Sequence, residues 1–543
     1  MKLEVCHLKQ SQPLTEDYVS HYTTVQPLFD YNPWDAEAWE SRVQWLDDPR
    51  HEQADRLKLV ELLQDYNQAI HNAPGAMDNI ASLRDGQTLA AVGGQQAGLF
   101  TGPLYVIHKA VTLIQTAKEA SIRLGRTVVP VFWIAGEDHD LDEVNHTYYL
   151  HPNLHVQKIK LGHATEFRVS VSQLLVSLEA WEDALKQLDE SLAETEFKPD
   201  LMKKLHQFSL ECATLVDFFG CIMAWLFGSY GLVLVNSDDP MLRQIEAPLF
   251  RKMILENERI NEALLEGRNK VEGLKFEPQA EVGESNANLF IFHQGERLLL
   301  QRESGSFVNK KKNLFFSEIE LLKMAEESPQ SFSNNVVTRP MMQEFVFPVL
   351  CTVLGPGEIA YWGLTREAFH LLGMRMPVIV PRLQFTLVEG GIEKQMQKFG
   401  LVFADVVNAY GQKKKAWLDE QDTLQLEQRF AEVKEQFTEM YRPLLELVSG
   451  INPGIGKLGE TNIQKILEQI DFLQVRSTDA FQSRFEVALK QLERIRLSII
   501  PLDKPQERVY NIFAYLNKYG RAWLDELLNE PIVIDGQHRI VNL

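Results

Sequence analysis

Cysteine is scarce in this chain of 543 residues: Cys6, Cys212, Cys221 and Cys351 are the only four, and none stands in CxxC spacing. That pattern indicates neither a disulfide framework nor a zinc cluster, so buried thiols in a reducing cytoplasm are expected. Positive charge is also short. Against 75 acidic residues stand 55 Lys and Arg, for a net charge of -20, which opposes non-specific attraction to nucleic acid or to anionic membranes. No nucleic acid and no membrane is expected as a partner. Long apolar runs are nearly missing; the one candidate, FFGCIMAWLFGSYGLVLV from Phe218 to Val235, barely reaches the length of a span. It divides at Gly228-Ser-Tyr-Gly231 and reads as a buried helix followed by a buried strand, Leu232 to Asn236. The opening MKLEVCHLKQSQPL has no apolar core with a cleavage site and does not read as a secretory signal. No whole-chain repeat and no low-complexity tract is found.

What remains is ordinary globular composition, long enough for about two to four domains. Its organising stretch is LAAVGGQQAGLFTGPLYVIH, Leu89 to His108. A short apolar strand over Leu89–Val92 meets paired Gly93 and Gly94, passes Gly98 and Gly102, and enters an apolar helix at Pro103. Glycines before a helix let backbone approach a ligand, and free N–H groups of the first helical turn favour a phosphate or carboxylate. A tight turn without a ligand is the plain alternative. GGxxxGxxxG is neither the dinucleotide fingerprint nor a Walker loop. The helix, nearly apolar on all sides, ends at Gly125, and TVVPVFWI (Thr127–Ile134) follows as a buried parallel strand. Pro130 opposes pairing on both sides along the whole of that strand.

Strand, helix and strand make a right-handed βαβ unit, so the fold class is α/β with a parallel sheet. Ligands in such sheets bind beyond the carboxyl ends of the strands. There the second strand delivers AGEDHDLDEVNH, packing Glu137, Asp138, His139, Asp140, Asp142, Glu143 and His146 together. These groups suit binding an ammonium group, holding Mg²⁺ or moving protons; acids favouring a helix N-terminus are the alternative. No metal-ligand spacing is diagnostic, so no metal site is assigned. A third polar strand end follows at Asn236-Ser-Asp-Asp-Pro240.

Two stretches interrupt the rhythm. Residues 151–210 hold a strand-like piece, His155–Lys160, and charged helical sequence; residues 241–330 hold a hairpin, Leu289–Phe292 and Leu298–Gln301, with a longer loop His293–Arg297 between. After them, FSNNVVTRPMMQEF offers Ser333, Asn334, Asn335, Thr338, Arg339, Gln343 and Glu344 beside a short strand and a helix starting at Pro340. Arg339 is the preferred carboxylate or phosphate clamp, because its planar fork binds such groups bidentately; a structural salt bridge is the alternative. GPGEIAYWG adds Glu358, Tyr361 and Trp362, and PVIVPR a last apolar strand.

From Glu389 the pattern becomes helical with a narrow apolar seam: Ile392, Met396, Phe399 and Phe403; Leu426 through Leu447; Phe481 through Ile499. Pro443 is expected to kink or interrupt the middle helix. Antiparallel packing through Gly450–Gly459 is expected, and a homodimer formed by seams left exposed. In the C-terminal segment Gln506, Glu507, Arg508, Asn511, Tyr515, Asn517 and Tyr519 combine cation, amides and aromatic rings, suited either to an adenine or sugar, with Gln506, Arg508, Asn511 and Tyr515 as the nucleotide candidates, or to tying the last helix to the body. PIVI, Pro531–Ile534, reads as strand-like.

VGGQQAGLFTGPLYVIHK, FWIAGEDHDLDEVN, FSNNVVTRPMMQEF, GPGEIAYWG and PQERVYNIFAYLNKYG closely resemble the cysteine-adding BshC family of bacillithiol biosynthesis, in order and along essentially the whole chain. The resemblance implies a Rossmann-like core in three parts (1–150, 211–240, 331–388), connecting subdomains inserted at 151–210 and 241–330, a dimerising coiled coil at 389–505 and a segment at 506–543 packed back on the body. It implies amide formation between the carboxyl group of cysteine and the amine of glucosaminyl malate. Activation of a free carboxylate makes ATP the expected co-substrate, with Mg²⁺ accompanying it; neither an HxGH nor a KMSKS element is present. Substrates are then expected over the glycine turn, on Gly93, Gly94, Gln95, Gln96, Gly98, Thr101 and Gly102. Glu137, Asn335, Arg339, Glu358, Tyr361 and Trp362 complete the expected binding set. Asp138 or Asp140 would recognise an ammonium group, and His139 would accept the proton of the attacking amine. Two other readings use the same residues: a non-catalytic nucleotide or sugar-phosphate scaffold recruiting a separate ligase, and a metal-dependent hydrolase built on the His/Asp cluster.

Overall fold

The computed structural model describes residues 2–162 and 169–543; Met1 and residues 163–168, inside the first expected insertion, lie outside the described residues. The chain divides into two compact units, Met1–His151 with Val156–Leu387 and Pro505–Leu543, and Pro152–His155 with Val388–Lys504.

In the first unit, apolar runs rich in Val, Ile and Leu form β1 (Leu89–Gln95), β2 (Val128–Ile134), β3 (Val233–Asn236), β4 (Val349–Leu354) and β5 (Val378–Pro381). They lie in the order β5-β4-β1-β2-β3, and every neighbouring pair is parallel. Both faces of the sheet are covered, so these strands alternate little between apolar and polar. From central β1 the chain winds outward to β3 on one side and to β5 on the other, which places the topological switch between β1 and β4. Helix α1 (Leu104–Leu124) crosses from β1 to β2 and is buried along most of its length; Gly125, at φ 62°, closes it. Pro103 caps the helix from one residue outside it.

Two details of β1 and β2 follow from pairing. The strand does not stop at Val92 but continues through both glycines, because Gly93, Gly94 and Gln95 pair with Phe132, Trp133 and Ile134. Gly94 is required there, since a Cβ would stand 2.7 Å from the Trp133 carbonyl oxygen. Pro130 pairs toward Ala91, whereas the β3 register begins one residue later at Val131, so its missing N–H leaves no gap in the ladder.

The second insertion is larger in strand content than its sequence suggested. Five antiparallel strands align in the order Leu314–Phe316, Ser306–Asn309, Glu296–Glu303, Asn286–His293, Phe332–Asn334. Its central hairpin closes on Gln294 and Gly295, both at positive φ, a two-residue turn in place of the longer loop expected. The first insertion packs helices Leu178–Ser191 and Lys198–Glu211, with the Trp181 ring centroid 4.4 Å from that of Phe218 and the rings tilted by 32°. PIVI is not a strand; the C-terminal strand is His538–Asn542, which shares a three-stranded sheet with Lys2–Cys6 and Gln384–Val388. The four cysteines are free. Among the described residues no helix is long and apolar enough to cross a membrane; the uncharged run from Phe218 is split into the buried helix Leu215–Phe227 and β3.

The second unit is helical. Its centre is an antiparallel pair, α2 (Leu426–Ile451) and α3 (Pro453–Ser483), reversed over Asn452, whose side-chain oxygen caps α3 by accepting from the Gly454 N–H at 2.7 Å. Lys434 to Asp471 (2.8 Å) and Tyr441 to Asn462 (2.6 Å) hold the pair in register. Pro443 does not interrupt α2. Both Pro443 and Glu439 are exposed, so the carbonyl that the missing N–H would have bonded lies on the solvent face of the helix.

Candidate active site

A cleft of about 630 Å³ opens at the carboxyl ends of β1 and β2, beside the switch point. β1 contributes Gly94, Gln95 and the following Gln96; β2 contributes Trp133 and, past its end, Glu137 and Asp138; the helix after β4 contributes Glu358 and Tyr361. Asn335 enters from the loop after the last strand of the inserted sheet and Arg339 from the start of the helix Arg339–Val346 that follows, and the inserted sheet closes the far wall with Phe290, Arg297 and Gln301 among others. Segments more than 250 residues apart in sequence, from Gly94 to Tyr361, therefore share one cavity.

Beneath the cleft lies a buried ion cluster. Arg243, 1 % exposed, bonds Glu137 and, at 2.7 Å, Glu246, with Asp238 at 3.7 Å. Burial pushes the Glu246 carboxyl up to about 7 against the pull of Arg243. Asp238 in turn accepts from the hydroxyls of Ser170 (2.5 Å) and Ser172 (2.7 Å). Glu137 is thus held rigidly from below while it lines the cavity. Asp138 is held from the side: Gln96 donates to it at 2.6 Å and to Glu143 at 2.9 Å.

Lys109, which the motif reading passed over, projects from α1 to the cleft floor. Its ammonium group donates to the Gly94 carbonyl (2.6 Å), the Gln95 side chain (3.1 Å) and Glu358 (2.6 Å). Burial lowers its pKa, with Glu358 opposing. The only sequence signal was a lysine inside an otherwise apolar helix. Arg297 was equally inconspicuous within the inserted hairpin. Its guanidinium lies 4.0 Å from the Phe290 ring centroid and donates to Ser333 (2.7 Å) and the Asn334 carbonyl (2.5 Å). It also reaches His139 Nδ1 at 3.3 Å.

The same nitrogen lies 3.7 Å from Asp138 Oδ1, so the ring sits between a cation and a carboxylate. A guanidinium only donates, so in the tautomer that bonds Arg297 the His139 proton is on Nε2. His139 is half-buried beside the cleft and Asp140 is exposed; the lining carboxylates are Glu137, Asp138, Glu281 and Glu358.

The expected backbone anion cradle is revised. The turn after β1 bends through Phe100, Thr101 and Gly102, all at positive φ, and Asn511 clamps it by donating to the Phe100 and Gly102 carbonyls at 2.6 and 2.7 Å. The Gly98, Gly102 and Leu104 N–H groups are spent on Gln96, Leu99 and Tyr510 carbonyls. Gly98, Thr101 and Gly102 are buried behind the cleft, and Gly93 is buried inside β1. Trp362 is wholly buried against Phe369, outside the cavity lining.

The four residues considered for a nucleotide are dispersed. Gln506 pairs with both backbone groups of Leu387 at 2.8 Å, Asn511 holds the turn, Tyr515 packs on Trp523, and Arg508 is exposed near the Tyr105 ring. Beside them Arg382 binds Glu507 through two bonds of 2.7 and 2.8 Å, and His108 adds a third at 2.7 Å. Burial would raise the Glu507 carboxyl, yet these cations hold it well below the usual carboxylate range. Among the described residues no group of three His, Cys, Asp or Glu side chains is arranged to hold a metal ion.

Comparison with known proteins fits this construction. Residues 1–383 match the N-terminal Rossmann-like domain of bacillithiol biosynthesis BshC, and residues 385–543 its C-terminal coiled-coil domain. The chain belongs to the BshC family. Family members from Bacillus cereus (strain Q1) and Bacillus anthracis (strain A0248), each named "Putative cysteine ligase BshC", are 36 % identical to it over 533 residues, 98 % of either chain. The family's coiled-coil segment and its Rossmann-like segment meet at 383–385, whereas packing returns Pro505–Leu543 to the first unit.

Proposed function

We propose that this protein is a cytoplasmic cysteine ligase of bacillithiol biosynthesis, joining the cysteine carboxyl group to the amine of glucosaminyl malate. The observation that carries the reading is the mixed charge of one cleft at the sheet's switch point. Asp138 and Glu137 suit an ammonium group, while Arg339, fixed by Gln343 at 3.0 Å, suits a carboxylate. Amide formation between a carboxylate and an amine is unfavourable in water, so ATP with Mg²⁺ is the expected activating co-substrate. Arg339 and Arg297 are the cleft cations that would face a phosphoryl group. In the coupling step the amine nitrogen attacks the activated cysteine carbonyl, the C–N bond forms, the activating group departs, and one amine proton is lost. Asp138 is the carboxylate assigned to receive that proton: it lines the cavity, with one oxygen held by Gln96 at 2.6 Å and the other by the His139 backbone N–H at 2.7 Å.

The homodimer belongs to the same proposal. Met440, Leu447 and Ile451 on α2 and Leu458 and Leu473 on α3 are more than half exposed, an apolar seam that a second copy would cover. The test is mass-spectrometric detection of the cysteine amide from purified protein, cysteine and glucosaminyl malate, with and without ATP and Mg²⁺. Product that requires ATP supports the ligase. Failure of the folded protein to give product with any of these mixtures favours the scaffold reading.

A further inference from the structure

Adjacent asparagines in the cleft wall are used in opposite ways. Asn335 has both ends of its carboxamide bonded within the chain: its oxygen accepts from the Val337 and Thr338 N–H groups and the Thr338 hydroxyl, and its nitrogen donates to Asn288 at 3.0 Å. It builds the loop. Asn334, 1 % exposed and lining the same cleft, has neither its carboxamide oxygen nor its nitrogen hydrogen-bonded. A buried carboxamide without partners is costly, so its retention calls for a partner from outside the chain.

The chemistry of that partner is restricted. A carboxylate would set its oxygens against the Asn334 oxygen, and an ammonium group would set its protons against the Asn334 NH₂. A hydroxyl both donates and accepts, and two adjacent hydroxyls match the two ends of a carboxamide. The neighbouring wall is of the same kind: Asn286 and Gln301 from the inserted sheet bring two more carboxamides, beside Phe290. Arg297 stands on this wall too, its guanidinium held by Ser333, the Asn334 carbonyl and the Phe290 ring, while Glu137, Asp138, Glu358 and Arg339 come from the other side.

We infer that Asn334 reads ring hydroxyls of the amine substrate, so that the sugar lies against the inserted sheet and the carboxylates of the substrate lie toward Arg339. This rests on the proposed function, in which the glucosamine ring supplies the hydroxyls.

Calorimetric titration of glucosaminyl malate, cysteine and malate into the wild-type protein, Asn334→Ala and Asn334→Leu tests it. The expected result is at least about tenfold weaker binding of glucosaminyl malate to both variants, the equivalent of two neutral hydrogen bonds, with cysteine binding unchanged. An analogue lacking ring hydroxyls should bind wild type and variants alike. The thermal midpoint of ligand-free Asn334→Leu should equal or exceed that of wild type, because no bond is lost. A lowered midpoint would assign the carboxamide a structural partner and overturn the inference. So would unchanged glucosaminyl malate affinity, or an equal loss for cysteine. If wild type itself fails to bind glucosaminyl malate, the proposed function falls and takes this inference with it.

Discussion

The sheet unit and the helical unit handle polar and apolar groups in opposite ways. Around the parallel sheet, charged side chains are driven inside and paired: Arg243 with Glu137 and Glu246, Lys109 with Glu358, Arg382 with Glu507. On α2 and α3 the apolar side chains are left outside; α2 has no buried residue and α3 only Gly456. A buried ion pair contributes little net stability but is costly to break, which makes it a device for fixing geometry under a cleft. An exposed apolar seam contributes stability only when covered, which makes it a device for association.

The sharpest way to break this contrast is at its cations. Arg243→Met leaves Glu137 and Glu246 buried without their partner and should cost about 3–5 kcal/mol. Lys434→Met removes a half-exposed partner of Asp471 and should cost at most about 1 kcal/mol. Urea unfolding of both variants checks the difference; equal losses would mean that the Arg243 cluster is not the anchor described. Backbone packing comes next. Gly94→Ala drives a methyl group toward the Trp133 carbonyl and should cost about 1–3 kcal/mol, the range for overpacking, read from the same unfolding curves.

Proton linkage gives a comparable effect confined to the sheet unit. The Glu246 and Glu344 carboxyls are each raised by burial to about 7, against Arg243 and Arg42 respectively. The folded state therefore holds protons that the unfolded chain releases near pH 4.5. Their contribution to stability is full below that pH and is lost as pH rises through about 7. Glu246→Gln should flatten the decline between pH 5.5 and 8 by about 1–3 kcal/mol in chemical melts; an unaltered slope would remove Glu246 as its source. The smallest change in folding, with the clearest change in assembly, is expected from Leu447→Asp in α2. Sedimentation should show affinity in the proposed dimer weakened at least tenfold, about 1.4 kcal/mol, while the sheet unit's melting is unchanged. A variant as dimeric as wild type would place the contact elsewhere.

Much of the architecture was legible in the chain. β-branched runs marked the strands, and the shift from strand and helix alternation to a heptad-like seam marked the second unit. Pro130 and Gly125 also behaved as their backbone chemistry requires. The glycine segment was misjudged because a glycine pair reads as a turn, whereas pairing with Phe132 and Trp133 makes it strand. Within the cleft, Asp138 and Arg339 were visible as polar residues at strand and helix ends. Lys109 and Arg297 were not, since an isolated cation in an apolar helix or a hairpin has no local signature. Asn334 and Asn335 are indistinguishable in sequence, and only their hydrogen bonds separate the loop builder from the residue facing the cavity.

By itself the sequence determined the local and repetitive features: which runs are apolar, where helices begin and end, and that acids gather after β2. These depend on residues close together along the chain. Only the tertiary structure decided what those groups do, by setting Arg297 against His139, spending the turn's N–H groups on Gln96, Leu99 and Tyr510, and leaving Asn334 unpaired. Hydrogen bonding is directional and acts over about 3 Å, so a partner 158 residues away, as Arg297 is from His139, is fixed by the fold and not by sequence neighbours.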